Sequence, residues 1–393
     1  MTGLTEIRNG RVVTPRRVID GGRVLLAGNR IAHVDEAQRT TLERSRTVDA
    51  EGLVVMPGLV DLHGDDVEHH LYPRSGARVD ARRALSTADR VNALAGVTTK
   101  FHAIAFEESP DDDRSFADAA ELAREIAAAT DTVGDNRLHA RCELSAESVI
   151  AVESLADDVA VDLVSVMHHA PGDGQFDAEE FERHYVEDRN WPKEAVAKAA
   201  AERGTLSRAD RDSLSKRIAE VAADIEAPLA SHDDESAADV DRMHGRGASI
   251  SEYPITREAA RRATERDMSV AMGAPNLVRG GSLWDNLSAR SAIDAELVDV
   301  LCSDYHPPSL LGAPFVDTGE PLPVRVNRVT RNPARAAGLH DRGRIEAGAR
   351  ADVLLVDPEP IPTVERVFVA GSEALSASPG APRETRPAIN REP

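Results

Sequence analysis

Two rhythms of apolar and polar positions run along this chain. Near the ends, over residues 4–56 and 345–378, short runs alternate apolar with polar residues and break at turns, as in IRNGRVV, RVLLAGNRIAHV around Asn29, and ADVLLVD. A period of two predicts β-strands with one buried face. Between them, apolar runs of strand length alternate with helical patterns such as RSFADAAELAREIAAAT and SKRIAEVAADI. That alternation predicts an α/β fold of parallel strands with helical crossovers. Strand ends are expected near His63, Thr99, Glu143, His169, His232, Glu252, Pro275 and Asp304. Eight such ends suit a closed (β/α)8 TIM barrel. The expected organisation is therefore a barrel over 57–344, a composite β-sandwich built from 1–56 and 345–378, and a flexible tail over 379–393. Residues 171–216 are long and charged for one connection, and are expected to form an excursion over the top face or an outer helical insert.

Composition narrows the class. Hydrophobic residues make up 41% and charged residues 29%, and no apolar run approaches the ~20 residues of a membrane-spanning helix. A membrane partner is not expected. The first ten residues lack the basic stretch and apolar core of a secretory signal, so a cytoplasmic location is expected. Cys142 and Cys302 each sit in an apolar run and read as buried fillers, not as a disulfide or a zinc cluster. The net charge of −21 opposes nucleic acid and anionic lipid. Only four lysines (Lys100, Lys193, Lys198, Lys216) stand among 47 basic residues, a bias that predicts a halophilic, GC-rich source and a solvated acidic surface.

The chemistry is concentrated at the strand ends. In VVMPGLVDLHGDDVEHH, His63 and Asp65 lie two apart at the end of an apolar strand, so both point the same way. At a barrel mouth that pair can grip a divalent ion; alternatively Asp65 or Asp66 caps the next helix. Glu143 in HARCEL is a candidate metal-bridging carboxylate or an ordinary charge entering a loop. His169 in LVSVMHHAPGDGQF and His232 in PLASHDDE follow apolar runs in the same manner, and either alone could be a structural histidine. Asp304 in VLCSDYHPPSLL is a candidate general base. Its alternative is a helix N-cap, which Pro307 and Pro308 are expected to discourage. Phosphate contacts are expected from Arg279, Gly280, Gly281 and Ser282 in MGAPNLVRGGS and from Arg74 and Arg78 in HLYPRSGAR, with hydrogen bonds from Asn276, Tyr305 and His306. Surface turns with arginines are the plainer reading of both segments.

Taken in order, PGLVDLHGDDVEHHLYPRSG, AGVTT, RCEL, HHAPGDGQF, SHDDE, SEYP, MGAPNLVRGGS and SDYHPPSLL resemble the PhnM family, the ribose 1-methylphosphonate 5-triphosphate diphosphatases of the carbon–phosphorus lyase pathway. NPARAAGLHDRGRIEAGARADVLLV resembles the C-terminal signature of the wider amidohydrolase superfamily. The resemblance implies a barrel with a composite sandwich and a metal site at His63, Asp65, Glu143, His169, His232 and Asp304. Where the family has Asp-His before Pro-Gly this chain has His168-His169, and Leu283-Trp284 stands where the family has a histidine after RGGS. Lys100 reads as the only strand-end lysine, and Glu143 as the better bridge between metals.

The implied reaction uses two divalent ions, zinc first with manganese, nickel or iron as alternatives, to activate a water against the triphosphate. Asp304 takes the proton and arginines offset the phosphate charge, leaving a 5-phosphate and pyrophosphate. A small phosphorylated substrate, a homo-oligomer (dimer) and functional association with other phosphonate-degradation proteins are expected with it. The rival readings are a C–N bond amidohydrolase and a catalytically silent pathway scaffold.

Overall fold

The structure, a computed structural model, describes residues 3–36, 45–74, 76–108, 114–169, 182–183, 186, 192–204, 206–283 and 286–377. Trp284, most of the HHAPGDGQF segment and the expected tail lie outside these residues.

The N-terminal alternation becomes β1 (Leu4–Val13), β2 (Val18–Ala27), β3 (Arg30–Glu36), β4 (Ser45–Asp49) and β5 (Val54–Pro57). The central runs become β6 (Leu59–Gly64), β7 (Val97–Phe106), β8 (Asp135–Glu143), β9 (Leu163–Met167), β10 (Leu229–His232), β11 (Ala248–Glu252), β12 (Ser269–Gly273) and β13 (Val300–Cys302). At the C-terminal end lie β14 (Val353–Asp357), β15 (Thr363–Val369) and β16 (Ser372–Ser376).

Strands β6 to β13 pair in sequence order as a parallel sheet, and a parallel bridge between Gly64 and Asp304 brings the last strand back to the first. The result is a nearly closed (β/α)8 barrel. Strands β6, β7 and β9 are buried on both faces, at every position, so their burial shows no alternation even where polar residues occur. The chain ends share a second, mixed sheet in the order β16-β15-β14-β5-β1-β2-β3, with β4 on β1. Residues 54–57 and 353–356 pair antiparallel, so the two ends of the chain meet directly. One side of this composite β unit encloses Ile7, Val24, Leu26, Ile31, Val55 and Phe368. Its other side, through Val13, Met56 and Leu354, packs on Leu59, Val97 and Leu301 of the barrel.

Serine and threonine caps set the loop lengths at the barrel mouth. Ser145 caps helix Ala146–Asp158, Ser236 forms a capping box on helix Ala237–His244, and Thr256 caps helix Arg257–Glu265. Each cap lies within four residues of a strand end (Glu143, His232, Glu252), which holds the connecting loops short. No helix among the described residues is long and apolar enough to cross a membrane.

One strand differs from its expected position. Thr99 lies near the start of β7, which continues to Phe106, so Lys100 is inside the barrel and not at its rim. There its ammonium donates to Asp61 at 2.6 Å and Ser303 at 3.0 Å and pairs with Asp66 at 2.7 Å. Every residue of β7 is buried, and three polar partners are what allow a lysine to be among them.

Candidate metal centre and active-site cavity

The strand ends bring imidazoles and carboxylates together. The rings of His63 and His232 stack with centroids 5.3 Å apart, and those of His232 and His169 meet edge to face at 5.8 Å. Glu143 receives the backbone N–H of His169 at 2.8 Å and lies 2.7 Å from its Nδ1. Asp304 is joined to this rim by its backbone, which pairs with His63 and Asp65. His63, Asp65, His232 and Asp304 line one cavity of about 390 Å³. Asp65 occupies the N-cap position of helix Asp66–Leu71 without capping it, so its side chain is not engaged in the role that the plainer reading gave it.

A repeated backbone device forms this mouth. Asp233, Tyr253 and Asp304 each adopt positive φ (56°, 53° and 55°) just beyond a strand end. Their amides donate to Glu252, Ala271 and His63, carbonyls of the neighbouring strands. Left-handed backbone is unfavourable for such residues, so the ladder bonds hold the chain where it turns inward.

Burial decides the electrostatics. It pushes His63 below the ordinary histidine range, favouring the neutral ring that can act as a metal ligand. Burial alone would raise Glu252, but the imidazoles of His63 and His139 with a bond from His232 hold it well below the usual carboxylate range. Burial, reinforced by Asp65, pushes Asp304 up to about 7.

Several residues here were not singled out by the sequence. Glu252 is fully buried, and one of its oxygens lies 3.2 Å from Nδ1 of His63 and 3.3 Å from Nδ1 of His232. Asp233 faces Nε2 of His169 at 3.3 Å and of His232 at 3.7 Å. His139 has both ring nitrogens engaged, by the Leu62 carbonyl and the Ser165 hydroxyl, and so supports the floor. Arg141 lines the cavity beside Asp65. The signals were present: Glu252 is itself one of the expected strand ends, Asp233 follows another, and Arg141 shares its strand face with Glu143.

The donor set fits divalent cations. Ligand-type atoms of His169, His232 and Asp233 lie within 4.8 Å of one another; those of His63, His139 and Glu252 are equally close, but both nitrogens of His139 are already bonded. Neutral imidazoles and ionised carboxylates are the donors such ions take.

The expected phosphate contacts divide. Asn276, Arg279, Ser282 and Tyr305 line the cavity. The Arg279 guanidinium is held by the Tyr305 hydroxyl at 3.0 Å and the Gly281 carbonyl at 2.7 Å. Gly280 and Gly281 do not present free amides, because both donate to the Asn276 carbonyl as the cap of helix Ala274–Arg279. Arg78 is paired with Asp118 and Glu121, Arg74 forms a backbone bridge with Ala77, and neither lines the cavity. His306 bonds Ser309 and stands at the N-cap of helix Pro307–Gly312. That helix also corrects an expectation: Pro307 and Pro308 begin it, since proline's missing N–H and fixed φ suit a first turn.

The fold is shared with solved enzymes of low sequence identity. A β-aspartyl dipeptidase from Fervidobacterium islandicum superposes with a TM-score of 0.62 at 15% identity, covering 97% of this chain and 99% of its own. An adenosine deaminase from Xanthomonas campestris with bound zinc gives 0.59 at 17% identity, covering 94% of this chain and 92% of its own. No family model matches the chain. The α-D-ribose 1-methylphosphonate 5-triphosphate diphosphatase of Escherichia coli is 35% identical over 373 residues, which span 89% of this chain and 94% of that protein. This chain belongs to that diphosphatase family.

Proposed function

We propose that the protein hydrolyses α-D-ribose 1-methylphosphonate 5-triphosphate to the 5-phosphate and pyrophosphate, a step in phosphonate breakdown. The observation that carries this reading is the near full-length likeness to the E. coli diphosphatase, supported by a cavity that joins His63, Asp65, His232 and Asp304 to Arg279. His63, Asp65, Glu143, His169, His232 and Asp304 would hold two divalent ions, with Asp233 as a further candidate. Zinc is the first choice, in keeping with the zinc-bound adenosine deaminase. Such ions supply Lewis acidity and make water a nucleophile at neutral pH.

The chain's own groups do the rest. Asp304, in the cavity beside His63 and Asp65, accepts the proton of the attacking water. Glu252 orients the rings of His63 and His232 by receiving their Nδ1–H groups, which leaves Nε2 as the ligand atom. Arg279, fixed by Tyr305 and Gly281, neutralises the outer end of the triphosphate, and Asn276 and Ser282 border its path. A cytoplasmic homodimer that works alongside other phosphonate-degrading proteins completes the reading.

Phosphorus NMR of metal-loaded protein with the ribose triphosphate tests it, run beside a panel of cyclic amides and β-aspartyl dipeptides. Pyrophosphate release with elemental analysis showing bound metal is the expected result. Amide cleavage without pyrophosphate release would replace it with C–N bond hydrolysis, and size-exclusion chromatography with light scattering tests the dimer.

A further inference from the structure

Arg141 extends from β8, two positions before Glu143, toward the same mouth. Its side chain is only 11% exposed, yet it lines the cavity together with Asp65 and Asp304. The nearest acidic oxygen, on Asp65, is 3.5 Å from its Nη1, an ion-pair distance. Its Nε and Nη1 make no hydrogen bond among the described residues. A guanidinium carries five donors, and burying it without filling them is costly. Arg279 lines the same cavity but lies at its exposed rim, already braced by Tyr305 and Gly281.

We infer that Arg141 is a second phosphate-binding arginine, which contacts the phosphoryl group under attack while Arg279 holds the distal end of the chain of phosphates. The inference rests on the triphosphate reading above and deepens it. Two arguments lead there. First, the cavity places Arg141 beside the carboxylate assigned as base, which is where charge builds on the non-bridging oxygens during transfer. Second, a protein of net charge −21 has no general attraction for a polyanion, so its cations must be placed individually. A guanidinium can meet two oxygens of one phosphoryl group at once, which satisfies its idle donors only when substrate is present.

The test compares metal-loaded wild type with Arg141→Gln, Arg141→Lys and Arg279→Gln. Metal content and the urea midpoint verify that each variant is folded and loaded. A group acting at the reacting phosphorus gives a fall in kcat on the order of 10²–10³ for Arg141→Gln, with partial recovery in Arg141→Lys, whereas Arg279→Gln mainly raises KM. Calorimetric binding of inorganic pyrophosphate is expected to weaken at least tenfold in Arg141→Gln. If wild type releases pyrophosphate and Arg141→Gln keeps both kcat and pyrophosphate affinity within threefold, the assignment of Arg141 is overturned and the triphosphate reading stands. If wild type releases none, the triphosphate reading fails, and unchanged pyrophosphate binding in Arg141→Gln then overturns the arginine's role as well. Should Arg141→Gln lose its metal or fold, Arg141→Lys decides the question by the same two measurements.

Discussion

The backbone amide of Asp304 donates to the carbonyl of His63 at 2.9 Å, and the amide of Asp65 donates in turn to the carbonyl of Asp304 at 3.1 Å. This reciprocal pair joins the first barrel strand to the last and sets the residue proposed as base beside those proposed as ligands. Chemistry and barrel closure therefore depend on the same two backbone hydrogen bonds.

Asp304→Asn keeps the shape of the side chain and removes its ability to take a proton. We expect kcat for pyrophosphate release by the metal-loaded protein to fall by about 10²–10⁴. Steady-state kinetics check this, and wild-type kcat in the variant would exclude Asp304 as the base.

Metal-free protein should show the cost of ionising that carboxyl. Burial and Asp65 push Asp304 up to about 7 in the folded chain, whereas an unfolded aspartate titrates near ~3.9. Between these values the folded state holds a proton that the unfolded state has lost. Stability contributed by this group is thus complete below about pH 4 and declines as pH rises toward 7. Urea melts of chelated wild type and Asp304→Asn from pH 5 to 8 should diverge in slope, the variant lacking this decline; parallel curves would refute it.

Lys100 stays charged across the accessible range, because Asp61 and Asp66 outweigh the effect of its burial. Lys100→Met leaves both carboxylates buried without their counter-charge. We expect a loss of about 3–5 kcal/mol in unfolding free energy, read from urea denaturation. A loss below about 1 kcal/mol would show that the network does not support the barrel.

Two glycines at the mouth should respond differently to alanine. A Cβ at Gly64 would sit 1.9 Å from the Lys100 ammonium nitrogen and 2.6 Å from the Ser303 hydroxyl. Gly64→Ala is expected to destabilise by about 1–3 kcal/mol through overpacking. At Gly273 the nearest atoms would be 3.8 Å away and the backbone is extended, so Gly273→Ala should be neutral or stabilising by up to about 1 kcal/mol. Thermal melts of the two variants test the contrast.

Much of this protein was determined by local pattern. The shift from period two to βα alternation gave the composite β unit and the barrel, because side-chain burial repeats with the strand and helix periods whatever the partners are. The placing of His63, Asp65, Glu143, His232 and Asp304 at the barrel mouth was legible because each ends or closely follows an apolar strand. What the sequence could not settle depends on neighbours distant along the chain. Lys100 seemed to stand at a rim until β7 proved ten residues long and its charge was met by Asp61 and Asp66. Gly280 and Gly281 looked open to an anion until their amides turned out to cap a helix. Glu252 and Arg141 gained meaning only when folding brought His63, His232 and Asp65 to them. A strand's period says which way a side chain points, but hydrogen bonds and charge pairs are made across the barrel, and only tertiary structure decides who the partners are.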